Sequence, residues 1–387
     1  MATVQDLPQI RGVKSIPVEE FYGSGHRTCQ GCESALVMRL MIKAAGQRTI
    51  VLGSTGCMYV ANTTYYSTPW VVPWMHTQLG SAGSAATGTA AGLSAMMRKG
   101  KMTDEPINVI AFCGDGGGVD MGLSALSAAL QHDEYNLLLV CYDNESYANT
   151  DIQASGSTPW GANTTFSPVG KKIRNMNVRE KKNMAPMMAV GHPNMKYVAT
   201  ACASYGLDFN NKVRRALTIG GPTFIHCIDP CPKGWDYDPK YSHELGMLAI
   251  ETGLWTQYEI IEGELSLNGP SRAISKGIRK RKPVEEYLLR QGRFAHFLPE
   301  DIKHVQDRVD EQWEKWWIPG LIPITPQPDE VETAEEAEEV RKFGDQTNYS
   351  KKEWAESIPP TLFIYPRVNP SVLKFSVLLW TSFKKSE

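Results

Sequence analysis

The pattern of apolar and polar residues divides the first two thirds of the chain into short buried strands and helices. Four runs are almost continuously apolar, as expected of strands buried on both faces of a parallel sheet: TIVLGS, INVIAF, NLLLVCY and TFIHCI. Helical spacing of apolar residues appears in ESALVMRLMIKAAG and VDMGLSALSAALQH, and helices are also predicted for MKYVATACASYG and NKVRRALTIG. Together these elements predict an α/β fold.

The clearest unit is the strand INVIAF, the turn GDGGG, a helix and the strand NLLLVCY, in close succession. Such a βαβ unit has parallel strands and a right-handed crossover. Ligands of open α/β sheets bind at the carboxyl ends of the strands, here Gly114–Gly118 and Asp143–Thr150. The long segment from Asp151 to about Pro193 lacks periodicity, which is typical of a functional loop such as a cover over a site.

Beyond Trp235 the pattern changes to charged helical segments, Pro-rich connections and an acidic run, without a second βαβ series. We therefore predict an N-terminal arm (1–20), an α/β domain (21–235), a helical extension (236–320) and a tail (321–387) that wraps a partner or stays flexible. The basic run Arg279 to Lys282 is typical of a solvated face.

Composition narrows the class of protein. The chain has 387 residues, 42% of them hydrophobic, and 40 Lys and Arg against 42 Asp and Glu, so its net charge of −2 gives no support to nucleic-acid or anionic-membrane binding. No segment approaches the roughly 20 apolar residues that cross a bilayer, and no signal peptide is visible. We predict a soluble cytoplasmic protein, in which eight cysteines indicate metal or redox chemistry rather than disulfides.

Four of the cysteines lie in turns. Cys29 and Cys32 form a CxxC motif, while Cys57 and Cys231 each follow a predicted strand. Four thiolates from one loop and two strand ends suit an iron–sulfur cubane; a zinc site, a redox pair and no metal at all remain alternatives. Cys227 is the second choice for the fourth ligand. Buried, inert thiols are predicted for the cysteines inside apolar patterns: Cys113, Cys141, Cys202 and Cys227.

The GDG turn suggests a second metal. Its glycines permit close approach of a ligand, and the following helix start favours an anion. Asp115 would repel a phosphate unless it holds a divalent cation, and Mg²⁺ prefers carboxylates together with amide or backbone oxygens. Asn144 follows the next strand, so the crossover should bring it beside Asp115. The alternative is a tight turn at GDG and a loop cap at Asn144.

These motifs, in this order, resemble the beta subunits of pyruvate (2-oxoacid):ferredoxin oxidoreductases, which bind thiamine diphosphate. The resemblance covers about residues 18–320 and rests on GHRTCQGC, STGC, GDGGGVDMG, NESYANT and DPCPKGW. It implies a diphosphate-type thiamine diphosphate domain with a mainly parallel sheet flanked by helices, followed by a C-terminal helical or irregular extension.

The resemblance also implies roles for individual residues. The ligands of a [4Fe-4S] cluster would be Cys29, Cys32, Cys57 and Cys231. The ligands of Mg²⁺ would be Asp115, Asn144 and the backbone carbonyl of Ser146. The diphosphate would face Gly114, Gly116 and Gly117. Asn149 matches a residue near the reacting carbon, with Thr150 beside it. Glu33 and Ser34 stand where relatives have other residues near the cofactor, and His76 matches a Trp-x-His stretch.

The implied reaction is oxidative decarboxylation of a 2-oxoacid, by default pyruvate, to acyl-CoA and CO₂, with electrons leaving through the cluster to ferredoxin. Coenzyme A is then a co-substrate; 2-oxoglutarate, an aryl glyoxylate and oxalate remain open as substrates. Because the chain shows one diphosphate-type unit, an alpha subunit should supply the pyrimidine-binding domain, beside gamma and ferredoxin-like delta subunits. The alternatives are a zinc-stabilised scaffold without catalysis and a cluster-free thiamine decarboxylase.

Overall fold

Eight strands form one sheet in the computed structural model, which describes residues 5–63 and 68–314. The strands are β1 (Thr49–Ser54), β2 (Trp74–Thr77), β3 (Asn108–Gly114), β4 (Leu137–Asp143), β5 (Tyr197–Cys202), β6 (Pro222–Ile228), β7 (Tyr258–Ile261) and β8 (Glu264–Leu267). Their order across the sheet is β2-β1-β3-β4-β6-β5-β7-β8. The first six pair in parallel, whereas β7 and β8 join as antiparallel strands. The sheet is therefore mainly parallel, as predicted.

Helices connect the strands and cover both faces. The α-helices are α1 (Glu33–Ala45), α2 (Cys57–Val60), α3 (Ala82–Arg98), α4 (Leu123–Ala129), α5 (Met184–Gly191), α6 (Gly206–Ile219), α7 (Pro232–Trp235), α8 (Ser242–Glu251), α9 (Gly269–Ser275), α10 (Glu285–Leu288) and α11 (Pro299–Glu314). A π-helix covers Gly116–Met121, and 3₁₀ turns cover Val13–Ser15, Ala148–Thr150, Pro239–Tyr241 and Gly292–Phe294. The described residues belong to one compact unit.

Burial on both faces explains why the central strands have continuous apolar runs. Along β3, Ile110 and Phe112 pack into the core formed with α1 and α6, while Val109 and Ala111 pack into the core on the side of α3, α4 and α5. Alternate residues of a strand point to opposite faces, so a strand covered on both sides needs apolar residues at every position. The predicted βαβ unit is confirmed, with Gly114 of β3 opposite Tyr142 of β4.

Three predictions of local structure were wrong. Tyr197–Cys202, predicted as helix, is the fully buried strand β5, because periodicity cannot separate a short apolar run in a strand from one in a helix. The GDGGG turn begins a π-helix, a form often found at functional sites. The extension after Trp235 was predicted as helical, but β7 and β8 form a hairpin within it. The two turn residues of this hairpin, Glu262 and Gly263, both have positive φ, as a type I′ turn requires.

The part of the extension that is described packs on the rest of the chain through its own apolar cluster, which includes Trp235, Leu245, Phe294 and Val309. The basic run is partly solvated, with Lys280 exposed. Its other three cations form ion pairs: Arg279 and Lys282 with the buried Glu251, and Arg281 with Asp310. No helix among the described residues is long and apolar enough to cross a bilayer. The predicted tail (321–387) lies outside the described residues.

Two glycines give a matched test of the packing. A Cβ at Gly53 in β1 would lie 1.8 Å from the ring of the buried Tyr59, whereas a Cβ at Gly88 in α3 meets nothing within 4 Å. We expect Gly53→Ala to lower the free energy of unfolding by about 1–3 kcal/mol through overpacking. Gly88→Ala should instead raise it by about 0.5–1 kcal/mol through helix propensity. Urea unfolding of both variants measures this, and equal effects would contradict the packing at Gly53.

Candidate functional site

The candidate site lies at one rim of the sheet. β1, β3, β4 and β6 are neighbours and run parallel, so their carboxyl ends open on the same side. The turns that follow them contain, in sheet order, Cys57, Asp115, Asn144 and Asp229. The start of α1 also reaches this rim, because Ser34 Oγ donates a hydrogen bond to Asp229 Oδ2. Both predicted sets of ligands therefore lie at the same edge.

Oxygen atoms of Asp115, Asn144 and Ser146 face one another. Asn144 Oδ1 lies 2.8 Å from the carbonyl oxygen of Ser146 and 3.3 Å from Asp115 Oδ1, and a 3.4 Å hydrogen bond from Ser146 Oγ is its one donor contact. Either the amide rotates to place its NH₂ here, or a cation occupies the space between the oxygens. A set of carboxylate, amide and carbonyl oxygens is suited to Mg²⁺.

Burial makes Asp115 unusual. The residue is fully buried, and burial, followed by the nearby charge of Asp143, raises the pKa of its carboxyl well above the usual range. Ser155 Oγ donates to Asp115 Oδ2. A hydroxyl donor offsets little of the cost of a buried charge, whereas a bound divalent cation would favour the ionised form.

The neighbouring carboxylate, Asp143, begins the predicted Asp143–Thr150 segment, but the partners of its side chain were not predicted from the sequence. Lys181 Nζ and His226 Nε2 each lie 2.9 Å from Asp143 Oδ2. Burial alone would raise the pKa of Asp143, but these two partners, with Lys181 the stronger, hold it well below its usual value. The only signal in the sequence was a histidine inside an apolar strand. Asp143 is thus a paired anion next to the unpaired Asp115.

Other residues of the chain pack closely against two glycines of the GDGG stretch, where a side chain would not fit. A Cβ at Gly116 would meet the ring of Tyr147 at 2.3 Å, and one at Gly117 would meet the carbonyl oxygen of Leu79 at 2.8 Å. Gly114 has ordinary contacts with the Tyr142 ring. Glycine is therefore required at 116 and 117 for internal packing, whichever group the backbone N–H atoms face.

The four turn cysteines lie near one another, and no disulfide joins them. Burial raises the pKa of Cys32, Cys57 and Cys231 to about 12, and each also feels the negative charge of Asp229 and of another turn cysteine. Cys32 precedes α1, Cys57 begins α2, and Cys231 Sγ accepts a hydrogen bond from Gly234 N at 3.2 Å at the start of α7. Among the described residues, no three His, Cys, Asp or Glu side chains are placed to hold a metal ion.

Cys57 and Asn149 connect the two halves of the site. The 3₁₀ turn that contains Asn149 packs against α2, and the Asn149 side chain partly offsets the rise in the pKa of the Cys57 thiol. Thr150 lies beside it and hydrogen-bonds to the side chain of Gln153. The loop that follows β4 therefore touches the turn that follows β1, although these strands are separated in the sheet by β3.

The remaining predicted positions have structural contacts. Ser34 is bound to Asp229, as described, and Glu33 is buried with Ser204 Oγ 3.4 Å from its Oε1. His76 contacts Thr55 Oγ1 through Nε2 at 3.0 Å and stacks on Tyr59. As predicted, Cys113, Cys141, Cys202 and Cys227 are buried. All four lie in strands, Cys202 in β5, which was predicted as helix.

Comparison with known proteins identifies the family. Residues 54–227 match the model described as "Thiamine pyrophosphate enzyme, C-terminal TPP binding domain". The chain is 47% identical over 302 residues to pyruvate synthase subunit PorB of Methanocaldococcus jannaschii, covering 78% of this chain and 97% of that protein. The chain belongs to the PorB family of oxidoreductase subunits.

Two further relatives show the breadth of the PorB family. Pyruvate synthase subunit PorB of Methanothermobacter thermautotrophicus is 45% identical over 295 residues, covering 76% of this chain and 96% of that protein. Ketoisovalerate oxidoreductase subunit VorB of Pyrococcus horikoshii is 37% identical over 306 residues, covering 78% and 94%. The thiamine domain match spans Cys57, Asp115 and Asn144, while Cys29, Cys32 and Cys231 lie outside it.

Glu33 gives a pH test of the buried edge of the site. Burial raises the pKa of its carboxyl from 4.5 to about 7. A carboxyl whose pKa is higher in the folded protein stabilises the fold at low pH and loses that contribution as the pH rises through its folded pKa. We expect the free energy of unfolding of the wild type to fall between about pH 5 and pH 8 relative to that of Glu33→Gln. The same substitution at the exposed Glu262 is the control, and parallel pH profiles for wild type and Glu33→Gln would contradict the burial.

Proposed function

We propose that this chain is the thiamine diphosphate-binding beta subunit of a 2-oxoacid:ferredoxin oxidoreductase that converts pyruvate and coenzyme A to acetyl-CoA and CO₂. The contact between α2, which begins at Cys57, and the 3₁₀ turn that contains Asn149 is the observation that supports this most directly, because it brings the cysteine turns and the Asp115–Asn144 loops to one rim. The names of the PorB relatives favour pyruvate, and that of the VorB relative keeps a branched 2-oxoacid as the second candidate.

The proposed magnesium ligands are Asp115, the Asn144 amide oxygen and the Ser146 carbonyl. The Asn144 amide oxygen faces the other two oxygens, and its one hydrogen-bond donor, Ser146 Oγ, lies 3.4 Å away. A divalent cation bound among these oxygens would replace the missing donors and would offset the cost of burying the Asp115 carboxylate. The ion would in turn hold the diphosphate next to the backbone of Gly114, Gly116 and Gly117. Asn149 is the proposed catalytic residue, with Thr150 and Ser34 beside it.

The proposed ligands of a [4Fe-4S] cluster are Cys29, Cys32, Cys57 and Cys231. Three of these thiols lie at helix starts, where the helix dipole favours a thiolate. Burial, and after it the nearby negative charges, raises the pKa of each of the three as a free thiol. A four-iron cluster is larger than one ion and separates its four thiolates more widely than a single ion would. When bound, thiamine diphosphate supplies an electron sink and the cluster a one-electron acceptor.

The proposed partners are an alpha subunit that binds the aminopyrimidine, gamma and ferredoxin-like delta subunits, and external ferredoxin, in the cytoplasm. The described residues form one diphosphate-type sheet, so the pyrimidine half has to come from elsewhere. Large apolar side chains are exposed along the loop near the rim, as is typical of a surface that another protein covers: Phe166, Val169, Ile173, Met176 and Val178.

Asp115→Asn tests the metal site. We expect this substitution to reduce thiamine diphosphate affinity in the purified complex by at least about 100-fold, because an anionic ligand of the divalent ion is lost. The matched control is Asp120→Asn in the π-helix that follows Asp115, whose carboxylate instead pairs with Lys182 at 2.7 Å. Isothermal titration with Mg²⁺ present measures both, and equal losses would reject the assignment of Asp115.

Cys57→Ala tests the cluster. We expect the complex with this variant to contain about four iron atoms fewer per beta subunit and to stop reducing ferredoxin. Cys227→Ala is the control, since that thiol is buried within β6 rather than in a turn, and it should keep full iron content. Zinc in place of iron in the wild type would favour the scaffold alternative. Continued decarboxylation without iron would favour the cluster-free decarboxylase.

A further inference from the structure

A strained residue separates two of the proposed magnesium ligands. Glu145 lies between Asn144 and Ser146, and its φ of +65° is in the left-handed region, which residues other than glycine seldom adopt. Its side chain is turned into the protein, and the residue is only 5% exposed. A backbone conformation of this kind persists only where the surroundings hold it in place.

Two cations from distant parts of the chain hold this residue. Lys181 Nζ lies 2.8 Å from Glu145 Oε1, and Arg293 Nη2 lies 2.6 Å from Glu145 Oε2. The Arg293 side chain is itself only 3% exposed, so the pair is fully desolvated. The Glu145 carbonyl accepts a hydrogen bond of 2.7 Å from Thr158 Oγ1. Both ends of the residue are therefore fixed.

Trp235 extends this arrangement to the cysteine turn. Its Nε1 donates a 2.8 Å hydrogen bond to the Asn144 carbonyl, and the Arg293 guanidinium lies 4.1 Å from the centre of its ring. Trp235 is in α7, whose N-cap is Cys231. One short helix thus connects a proposed cluster ligand to the backbone of a proposed magnesium ligand.

We propose that Glu145 is a positioning residue: its ion pairs with Lys181 and Arg293 hold the left-handed turn that aims Asn144 Oδ1 and the Ser146 carbonyl at Asp115. This inference rests on the proposed magnesium site. Since Arg293 lies beyond residues 54–227, the affinity of that site for its ion depends on a residue outside the matched thiamine domain.

Replacement by glycine and by alanine separates this role from that of an ordinary buried ion pair. Glu145→Gly and Glu145→Ala leave the same unpaired guanidinium, so any loss due to charge alone is equal in both. They differ in the backbone, since glycine adopts positive φ freely and alanine does not. If the carboxylate serves to hold the left-handed turn, the glycine variant keeps the turn without it, whereas the alanine variant loses the turn.

The measurement is Mn²⁺ binding to the purified complex with thiamine diphosphate present, followed by electron paramagnetic resonance. We expect Glu145→Gly to bind Mn²⁺ about tenfold more tightly than Glu145→Ala, because the left-handed backbone penalises alanine by roughly that factor. If the wild type binds Mn²⁺ and the two variants bind it with equal affinity, the inference is overturned. If the wild type itself binds no Mn²⁺, the proposed function fails as well.

A second comparison uses Arg293, whose loss should matter only while Glu145 is present. We expect Arg293→Met to weaken Mn²⁺ binding at least fivefold in the wild-type background and to have no further effect in Glu145→Gly, while Arg293→Lys retains most of the affinity. The same loss in both backgrounds would mean that Arg293 acts independently of the turn, and would overturn the proposal. Thermal unfolding of each variant shows whether the fold is retained.

Discussion

Buried negative charge at one rim of the sheet is the constraint on which the candidate site depends. Asp115, Asp143, Glu145 and Asp229 are each at most 5% exposed. Taking a carboxylate out of water is costly unless a cation or several donors replace the water. Lys181 is shared by Asp143 and Glu145, and Arg293 completes the pairing of Glu145. These two carboxylates are compensated by the chain itself.

The other two are not compensated within the described residues. Asp115 receives a hydrogen bond from Ser155, and Asp229 receives one from Ser34, with Oδ1 of Asp229 left without a partner. Burial raises the pKa of both carboxyls well above the usual range. Asp115 lies at the proposed magnesium ligands and Asp229 beside the turn cysteines. The remaining charge imbalance is therefore located where the two inorganic centres are proposed.

The sequence predicted the fold correctly where an element is marked by its own run of apolar residues. Burial on both faces leaves a continuous apolar run, so β1, β3, β4 and β6 were predicted, and with them the rim on which Asp115 and Asn144 meet. The strand β5 has the same kind of run but was predicted as helix, because alternation and helical spacing coincide over so few residues. The β7–β8 hairpin was missed although its Glu-Gly turn lies between alternating apolar and polar residues.

The partners of the buried carboxylates could not be predicted, because they are distant in sequence. Arg293 is 148 residues from Glu145, and His226 is 83 residues from Asp143, so no spacing rule connects them. Nor does the sequence NES indicate a positive φ at its glutamate. Such contacts become visible only when the chain is folded, and they account for most of the site residues that the sequence did not indicate.

These distant contacts also change how the extension after Trp235 relates to the site. β7 pairs with β5, so the sheet continues past that residue, and Arg293 reaches back to the loop after β4. Trp235, which follows the turn that contains Cys231, donates a hydrogen bond to the Asn144 carbonyl in the same loop. In the proposed function, an electron leaving thiamine diphosphate would need an acceptor at a short distance. Two connections would hold the two proposed centres together: the packing of α2 against the 3₁₀ turn that contains Asn149, and the hydrogen bond from Trp235 to the Asn144 carbonyl. The Arg293 guanidinium lies over the Trp235 ring, so the second connection depends partly on the extension.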